Sequence, residues 1–387
     1  MKRILIVSFS NTSRDPRVLR QIGTLSKIYD VDVAGLESSN TMVKHYFQIS
    51  KGAKVSNKFV NKTVKALLLI FRLYERFYFF EMGTPSEEVS SLNQNDYDLV
   101  IANDFNSLPF VSRFVKKNTR ILLDAHEYYF DEMNSRIRSR IFRPYRTWVA
   151  KQYLPNVSSM TTVSPGIADL YKKEFNQLEV KLVRNIPMRN EIAFQRHYGS
   201  KIELIHHGIA VKGRGLEHLI ELMTIAPQNI TLTLMLVDVD PIFFKRLTSL
   251  AHKSGAKVNF VAPVPTEKIV EEISRYDMGI YLIPPNSINN LYSLPNKFFE
   301  FIHAGLGIIS GPATEISAII NAYSIGFTVE KFDSKLINKK FKLLDREKVE
   351  QFRSNSRNAS NFFSWQSESK TLLREVLKLT SLDNESR

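Results

Sequence analysis

Short apolar runs alternate with amphipathic stretches along this chain. Residues 4–9 form an apolar run of strand length, and a helix is predicted from Asp15 with Pro16 at its first position. The apolar residues of that helix recur at helical spacing on one face: Val18, Leu19, Ile22, Leu25 and Ile28. Residues 31–36 predict the next strand. This order of strand, helix and strand indicates a Rossmann-like opening.

The same alternation continues through the first half of the chain. Further strands are predicted at 98–102, 121–125, 159–163 and 180–183, and helices at 106–116, 136–146 and 165–175. Buried strands that alternate with helices are typical of α/β proteins with a parallel sheet. We therefore predict an α/β fold for this half.

A second series of strands and helices begins near residue 200. Strands are predicted at 202–206, 230–237, 278–283 and 307–310, and helices from Leu216, after Asp240-Pro241, around 315–320 and from 366 to about 380. Asp240 is predicted to cap a helix, and the alternative is a metal site shared with Asp238. Because the pattern restarts, we predict two domains with a boundary near residue 190.

The segment from Tyr292 to Gly311 has the features of a ligand site. Ser293 is predicted to cap a helix with Pro295 in its first turn, and Gly305 is predicted to end it in a left-handed conformation. Apolar strands precede and follow this helix, which makes a βαβ unit. A right-handed crossover then places the start of the helix at the carboxyl edge of the sheet, where α/β folds bind ligands.

The first turn of that helix carries Asn296 and Lys297, and Glu300 lies one turn further. Free N–H groups and a lysine charge suit a phosphate, while a carboxylate suits the hydroxyls of an attached sugar. We predict a diphosphate site at this helix. The alternative is an exposed ion pair between Lys297 and Glu300.

A second phosphate-binding arrangement is predicted just before the helix at Leu216. Glycines that let the backbone approach a ligand are accompanied by two cations: Gly208, Lys212, Gly213, Arg214 and Gly215. The alternative is a tight turn without a ligand.

Polar residues also follow the predicted strands of the first half. Arg14 and Arg17 follow the first strand, Asp104 follows another, and His126 and Glu127 come after the next. Polar residues at the ends of two successive strands belong to a site more often than to a core, so Asp104, His126 and Glu127 are predicted to form a site. The alternatives are a divalent metal site for the last three, a hydrogen-bonded loop histidine, and arginines that only pair with a neighbouring aspartate.

Residues 51–82 are predicted to form one amphipathic helix with a basic stripe: Lys51, Lys54, Lys58, Lys62, Lys65, Arg72 and Arg76. Aromatic and aliphatic residues occupy its other sides. Such a helix can lie on an anionic membrane surface. The alternative is a domain helix with a solvated face.

The composition narrows the classes of partner and compartment. Lys and Arg number 53 and Asp and Glu 39, a net charge of +14, so anionic partners are expected. The absence of cysteine excludes disulfides and suits a reducing cytoplasm. No signal peptide or membrane span is predicted. The first loop lacks G-x-G-x-x-G, which argues against a dinucleotide cofactor, and no nucleic-acid-binding module is recognised.

The pattern L-P-N-K-x-x-E-x-x-x-A-G-L-x-I-I-S at 294–310 resembles retaining glycosyltransferases of the GT-B fold, in particular family 4. Asp124-Ala-His-Glu127 and Asn185-Ile-Pro187 resemble the same family. The resemblance implies two Rossmann-like domains facing each other across a cleft: 1–188 on the acceptor side and 189–363 on the donor side. A C-terminal helix, 364–387, would pack back on the first domain.

The resemblance also implies roles for individual residues. Glu300 would bind the nucleotide ribose, His126 would contact the donor sugar, and Arg214 would take the place of a lysine that the family has before a glycine. The first loop resembles the opening of the same family, where it lies at the mouth of the cleft, so Arg14 and Arg17 would line that cleft. Two positions depart from the family pattern, because Tyr292 replaces a second glutamate and Ile209 replaces an arginine.

The function implied is transfer of a hexose from a nucleotide-diphosphate donor to a glycan or lipid-linked acceptor. Retention of configuration, no metal or other cofactor, and a place in surface polysaccharide or glycolipid synthesis are further expectations. The protein would be cytoplasmic or peripheral on the inner face of the plasma membrane. The alternatives are a nucleotide-sugar 2-epimerase of the same fold, a catalytically silent binding homologue and a basic nucleic-acid-binding protein.

Overall fold

The computed structural model describes residues 1–36, 43–49, 58–82, 87–131, 136–176, 178–189 and 199–381. The chain forms two compact units. The first comprises Met1–Val183 together with the chain from Ser369 onward, and the second comprises Arg184–Glu368. Each unit is built on its own parallel sheet.

The first unit alternates strands and helices along the chain. In order, its elements are β1 (Arg3–Val7), α1 (Pro16–Leu25), β2 (Asp30–Gly35), β3 (Tyr46–Gln48), α2 (Lys58–Ile70), α3 (Tyr74–Met82), α4 (Glu87–Ser90), β4 (Leu99–Asn103), α5 (Leu108–Phe114), β5 (Arg120–Ala125), α6 (Arg136–Tyr153), β6 (Ser159–Thr162), α7 (Pro165–Glu174) and β7 (Val180–Leu182). The strands pair in parallel in the order β3-β2-β1-β4-β5-β6-β7.

Helix α1 begins as predicted, because the Asp15 side chain accepts hydrogen bonds from two backbone amides of the first turn and Pro16 follows it. The helix buries Val18, Ile22 and Leu25 against the sheet. Ile28 lies beyond its end and is 44% exposed, so its assignment to the apolar face was wrong.

The segment predicted as one basic helix contains two helices, α2 and α3. The described part, 58–82, breaks at Arg72, whose φ of +55° is left-handed, and the Leu73 amide closes the turn by donating to the Leu68 carbonyl. This break lets α3 bury its aromatic side chains, as shown by Phe77 packing edge-on against Tyr145 at 5.0 Å. Arg72 and Arg76 therefore do not continue the predicted stripe, and residues 51–57 lie outside the described part.

The second unit repeats the α/β alternation. Its elements are β8 (Ile202–Ile209), α8 (Leu216–Ile225), β9 (Ile230–Val237), α9 (Pro241–Ser254), β10 (Val258–Val261), α10 (Ile269–Ile273), β11 (Met278–Tyr281), α11 (Ile288–Leu291), α12 (Asn296–His303), β12 (Gly307–Ser310), α13 (Thr314–Tyr323), β13 (Gly326–Thr328), α14 (Ser334–Phe341), α15 (Arg346–Ala359) and α16 (Trp365–Ser381). The parallel order is β10-β9-β8-β11-β12-β13.

Helices cover both faces of the second sheet. On one face α8, α9 and α14 contribute buried residues such as Leu219, Leu247 and Ile337. On the other, α10, α12 and α13 contribute residues such as Phe298 and Ile316. Strands buried on both faces explain the nearly continuous apolar runs of the sequence.

The last helix, α16, starts in the second unit, and its residues from Ser369 onward belong to the first. There Glu375 accepts a hydrogen bond from the Ser159 hydroxyl at 2.9 Å, and the Leu379 carbonyl accepts one from Arg120 at 2.6 Å. Residues 382–387 of the predicted tail lie outside the described part.

Candidate active site

The polar residues of the first unit converge where β4 and β5 end. These strands are neighbours, and Asn103 pairs directly with Asp124 in the parallel register. Asp104 and His126 therefore leave the same edge of the sheet side by side. The backbone amide of His126 donates to Asp104 Oδ1 at 2.8 Å, which joins the two loops.

Acceptor oxygens face both nitrogens of the His126 ring. Nδ1 lies 3.3 Å from Asp104 Oδ2, while Nε2 lies 3.2 Å from Asn103 Oδ1 and 3.3 Å from Asp124 Oδ2. Burial by itself lowers the pKa of His126, but Asp104 and Asp124 outweigh it and raise the pKa. An imidazole with acceptors on both sides favours the imidazolium form, which donates from both nitrogens.

Asp124 is the centre of a buried hydrogen-bond network. Its carboxylate accepts from Arg17 Nε at 2.6 Å and Nη2 at 2.5 Å, from Gln21 at 2.6 Å and from the Thr161 hydroxyl at 2.5 Å. Burial favours the neutral acid, but the charge and hydrogen bonds of Arg17, with His126, hold the pKa of Asp124 far below its usual range. This network fixes the carboxylate that faces His126.

Arg17 does not have the predicted cleft position. Its side chain is 1% exposed and is bound to Asp124 and to the Val183 carbonyl, at 2.9 Å. Both the cleft assignment and the alternative of a surface pair are therefore corrected: Arg17 is a buried counter-charge. Arg14 and Glu127 are exposed, and the Glu127 carbonyl accepts from the Tyr171 hydroxyl.

Asp104 has a strained backbone, with φ +63° and ψ 156°. A non-glycine residue in this region costs on the order of 1–3 kcal/mol and persists only where its surroundings impose it. Here the Asp104 amide donates to the Asp124 carbonyl, and the Asp104 carbonyl accepts from Ser107. In this conformation Asp104 Oδ2 lies 3.3 Å from His126 Nδ1. For the metal alternative, the described residues contain no group of three His, Asp or Glu side chains arranged to hold an ion.

In the second unit, the helix predicted from the L-P-N-K pattern is α12. Gly305 has φ +65° and ends it as predicted, with the Leu306 amide donating to the Phe301 carbonyl. Ser293 is not its cap, because the helix begins after Pro295 and the Ser293 hydroxyl donates to the Asn290 carbonyl.

Lys297 points toward the end of β8. Its ammonium donates to the His207 carbonyl at 2.7 Å and lies 5.4 Å from the centre of the Tyr281 ring. Burial, and secondarily the charge of Arg214, lowers the pKa of Lys297 to about 8. Gly208 is required beside it: its φ is +141°, and a Cβ there would lie 2.7 Å from the Lys297 nitrogen.

Glu300 is 7% exposed, so the alternative of an exposed ion pair with Lys297 is wrong. Its Oε2 lies 3.3 Å from His207 Nε2. Burial and the Lys297 charge lower the pKa of His207 to about 3, so this imidazole is neutral at physiological pH. His207 and Glu300 therefore meet as a neutral ring and a carboxylate.

The turn before α8 places Lys212 and Arg214 at the surface. Gly215 has φ +74°, and a Cβ there would lie 2.5 Å from the Leu282 carbonyl, so this turn packs against the chain that leaves β11. Asn296 begins α12, and its buried Oδ1 has no hydrogen-bond partner in the described part of the chain. Tyr292 directly follows α11 and is partly buried.

Several site residues were not identified from the sequence. Asn103 directly follows a predicted strand and Gln21 lies within a predicted helix, and only the strand register and the buried network reveal their proximity to His126. His206 is buried, its Nδ1 lies 2.8 Å from the Ile280 carbonyl, and its pKa is lowered well below the usual value by burial. The pair His206-His207 after an apolar run was a signal that could have been used.

No protein-family model matches this chain, and no curated protein is similar to it in sequence. Solved structures do match. Sucrose-phosphate synthase from Thermosynechococcus elongatus has 15% identity and a TM-score of 0.70, covering 99% of this chain and 100% of that one. HepE of Anabaena in complex with UDP-glucose has 12% identity and a TM-score of 0.70, covering 98% of this chain and 100% of that one.

TarM is a third match, with 10% identity and a TM-score of 0.69, covering 98% of this chain and 99% of that one. At identities this low, it is the TM-scores of 0.69 to 0.70 that establish a shared fold. Among the described residues, no helix is long and apolar enough to cross a membrane. The predicted fold class is confirmed: this chain is an α/β protein of two Rossmann-like domains with the GT-B fold.

Proposed function

We propose that this protein is a glycosyltransferase that moves a hexose from a nucleotide-diphosphate donor to a glycan or lipid-linked acceptor. One observation carries the proposal: Lys297, Glu300 and the neutral His207 meet at the carboxyl edge of the second sheet, beside the charge of Arg214. Cations beside a buried carboxylate suit a diphosphate attached to a sugar. The fold is also that of HepE, which was solved with UDP-glucose.

In this proposal Glu300 accepts hydrogen bonds from the nucleotide ribose. Cleavage of the bond between sugar and diphosphate leaves negative charge on the diphosphate, and Lys297 and Arg214 stabilise it. Lys212, Gly208, Asn296 and Tyr292 contribute to the same donor site.

His126 contacts the donor sugar near the reacting carbon. The surrounding carboxylates favour its charged form, which can donate a hydrogen bond to a sugar hydroxyl. The exposed Arg14 and Glu127 and the half-buried Asp104 are assigned to the acceptor. Because Lys297 and Arg214 supply two positive charges at the diphosphate, the proposal needs no metal, and it invokes no other cofactor. Retention of configuration, family 4 membership, a cytoplasmic location and a role in surface polysaccharide or glycolipid synthesis belong to the same proposal.

The test is thermal stabilisation by UDP-, GDP-, TDP- and ADP-sugars. One donor should raise Tm in the wild type, and Glu300→Ala should abolish the rise. Glu347→Ala, which changes an exposed glutamate of α15, is the matched control and should keep it. No rise with any donor would overturn the proposal.

Turnover then separates the alternatives. A transferase releases the nucleoside diphosphate in proportion to added acceptor. Conversion of the donor without acceptor indicates an epimerase, and stabilisation without any turnover over a panel of acceptors indicates a silent binding homologue.

A further inference from the structure

The helices α2 and α3 present an apolar surface at the break between them. Leu67 is 47% exposed, Ile70 71%, Phe71 68% and Leu73 41%. Of the α2 side chains that the structure describes, from Val60 to Ile70, none is buried. An apolar helix of this kind normally buries one face, so these side chains form an unusual surface cluster, which we call the apolar tip.

The charged residues around the apolar tip are mostly basic. From Lys58 to Leu73 the sequence contains no Asp or Glu. Lys62, Arg72 and Arg76 are exposed, and the ion pairs formed within the described part of the chain do not involve them. The acidic residues of α3 are paired, Glu81 with Lys65 at 2.5 Å and Glu75 with Arg113 at 3.8 Å. The net charge that this surface presents is therefore positive.

Helix α3 holds the apolar tip in place. Tyr74 and Phe77 pack against Tyr145 of α6, with ring centres 5.8 and 5.0 Å apart. Tyr78 is buried and its hydroxyl donates to the Asn106 carbonyl at 2.6 Å. Asn106 follows Asp104, whose side chain faces His126. A short, packed path thus joins the apolar tip to the loop that carries the His126 site.

We infer that α2, α3 and the apolar tip bind the surface of an anionic lipid bilayer, with Leu67, Ile70, Phe71 and Leu73 inserted among the acyl chains. A protruding apolar edge bordered by cations matches such a surface: the apolar side chains leave water, and the cations meet anionic headgroups. The inference does not depend on the proposed reaction. It fits an acceptor that carries a lipid, because the rigid path from Tyr78 to Asp104 would hold the His126 site close to the membrane.

The first test is flotation of the full-length protein with phosphatidylcholine vesicles, with and without phosphatidylglycerol. Binding should require the anionic lipid and should weaken as salt is raised, by about fivefold for each cation that contacts the surface. Failure to bind phosphatidylglycerol vesicles at low salt would overturn the inference.

The second test removes the apolar tip but keeps the charges. Ile70→Ser combined with Phe71→Ser should reduce partitioning onto the anionic vesicles by about tenfold or more. The control combines Ile242→Ser and Leu343→Ser, which change side chains 83% and 68% exposed in the second unit. The control should bind as the wild type does, and equal binding by both variants would contradict insertion.

The third test distinguishes a bilayer from a second protein. The chain has no cysteine, so Phe71→Cys provides a unique site for an environment-sensitive fluorophore. Its emission should shift to the blue with anionic vesicles and be quenched by brominated acyl chains, whereas a fluorophore at Ile242→Cys should not respond. A blue shift that depends on protein concentration and occurs without vesicles would show self-association and would overturn the inference. Donor-induced stabilisation is measured in parallel, so the proposed function can fail independently.

Discussion

The two candidate sites lie at the carboxyl edges of similar parallel sheets, but they balance charge in different ways. Around His126 the charges of Arg17 and Asp124 cancel within the protein, and the pKa of His126 is raised. In the second site the two cations Lys297 and Arg214 accompany one buried carboxylate, that of Glu300. The pKa of Lys297 is lowered to about 8.

This difference indicates that the buried charges of the first site support the fold, whereas the charges of the second site suit a bound anion. A buried pair such as Arg17 and Asp124 holds a neighbouring side chain in position, and its loss leaves an unpaired charge in the core. A site with excess positive charge, such as that of Lys297, is stabilised when an anion binds. Substitutions in the first network should therefore change folding most, and substitutions in the second site should change ligand affinity most.

The largest expected effect comes from Asp124→Asn. The substitution leaves the Arg17 guanidinium buried without a counter-charge, and we expect a loss of about 3–5 kcal/mol in the free energy of unfolding, measured with urea. Glu179→Gln is the control: its exposed carboxylate pairs with Lys181 and Lys378, and its removal should cost less than about 1 kcal/mol. Equal losses in the two variants would show that the Asp124 network is not a structural support.

Lys297→Met should leave the fold intact and weaken donor binding by about 10- to 100-fold, because a charge-assisted hydrogen bond to phosphate is lost.

The pH dependence of donor binding sharpens this prediction. Since the pKa of Lys297 is about 8, its charge is lost as the pH rises through that value. Wild-type affinity measured by calorimetry should therefore fall by up to about tenfold between pH 8 and pH 9. The Lys297→Met protein should lack this decline. A parallel decline in both proteins would assign it to another group.

Gly208→Ala and Gly213→Ala form a matched pair. Both glycines have positive φ, +141° and +85°, so both substitutions strain the backbone. The Cβ at 208 would lie 2.7 Å from the Lys297 nitrogen, whereas in the described part of the chain no atom outside residues 212–214 lies within 4 Å of a Cβ at 213. We expect about tenfold weaker donor binding for Gly208→Ala and a smaller change for Gly213→Ala. Equal effects would mean that backbone strain, and not displacement of Lys297, is responsible.

The sequence predicted the fold well because its evidence is local. Apolar runs and caps such as Asp15 and Asp240 mark elements without knowledge of tertiary contacts. The helix break at Arg72 was missed because a non-glycine left-handed residue has no sequence signature, and the packing of α3 imposes it. The tertiary contacts of α3 thus outweighed a sequence pattern that predicted one continuous helix.

The candidate site was predicted only in part, because some of its contacts join residues that are distant in sequence. Lys297 and Glu300 belong to one helix and could be placed together, but the approach of His207 depends on which strand adjoins β11. Arg17 was assigned to a cleft because its loop resembles the opening of family 4 transferases. Its partner, Asp124, lies 107 residues away in sequence, and local patterns carry no information about such a pair.

The smallest expected effect concerns His126 itself. Its folded pKa is raised above the unfolded value, so the stabilisation from its charged form is fully present below about pH 6.5 and is lost as the pH rises through the folded pKa. The stability difference between wild type and His126→Gln should therefore be largest near pH 5.5 and shrink toward pH 8.5. It should be only a fraction of the Asp124→Asn effect, because the imidazole is 22% exposed. Urea unfolding across this range measures it, with His252→Gln, a change at an exposed histidine of α9, as the control. A difference that grows with pH would mean that the surrounding carboxylates do not hold the imidazole in its charged form.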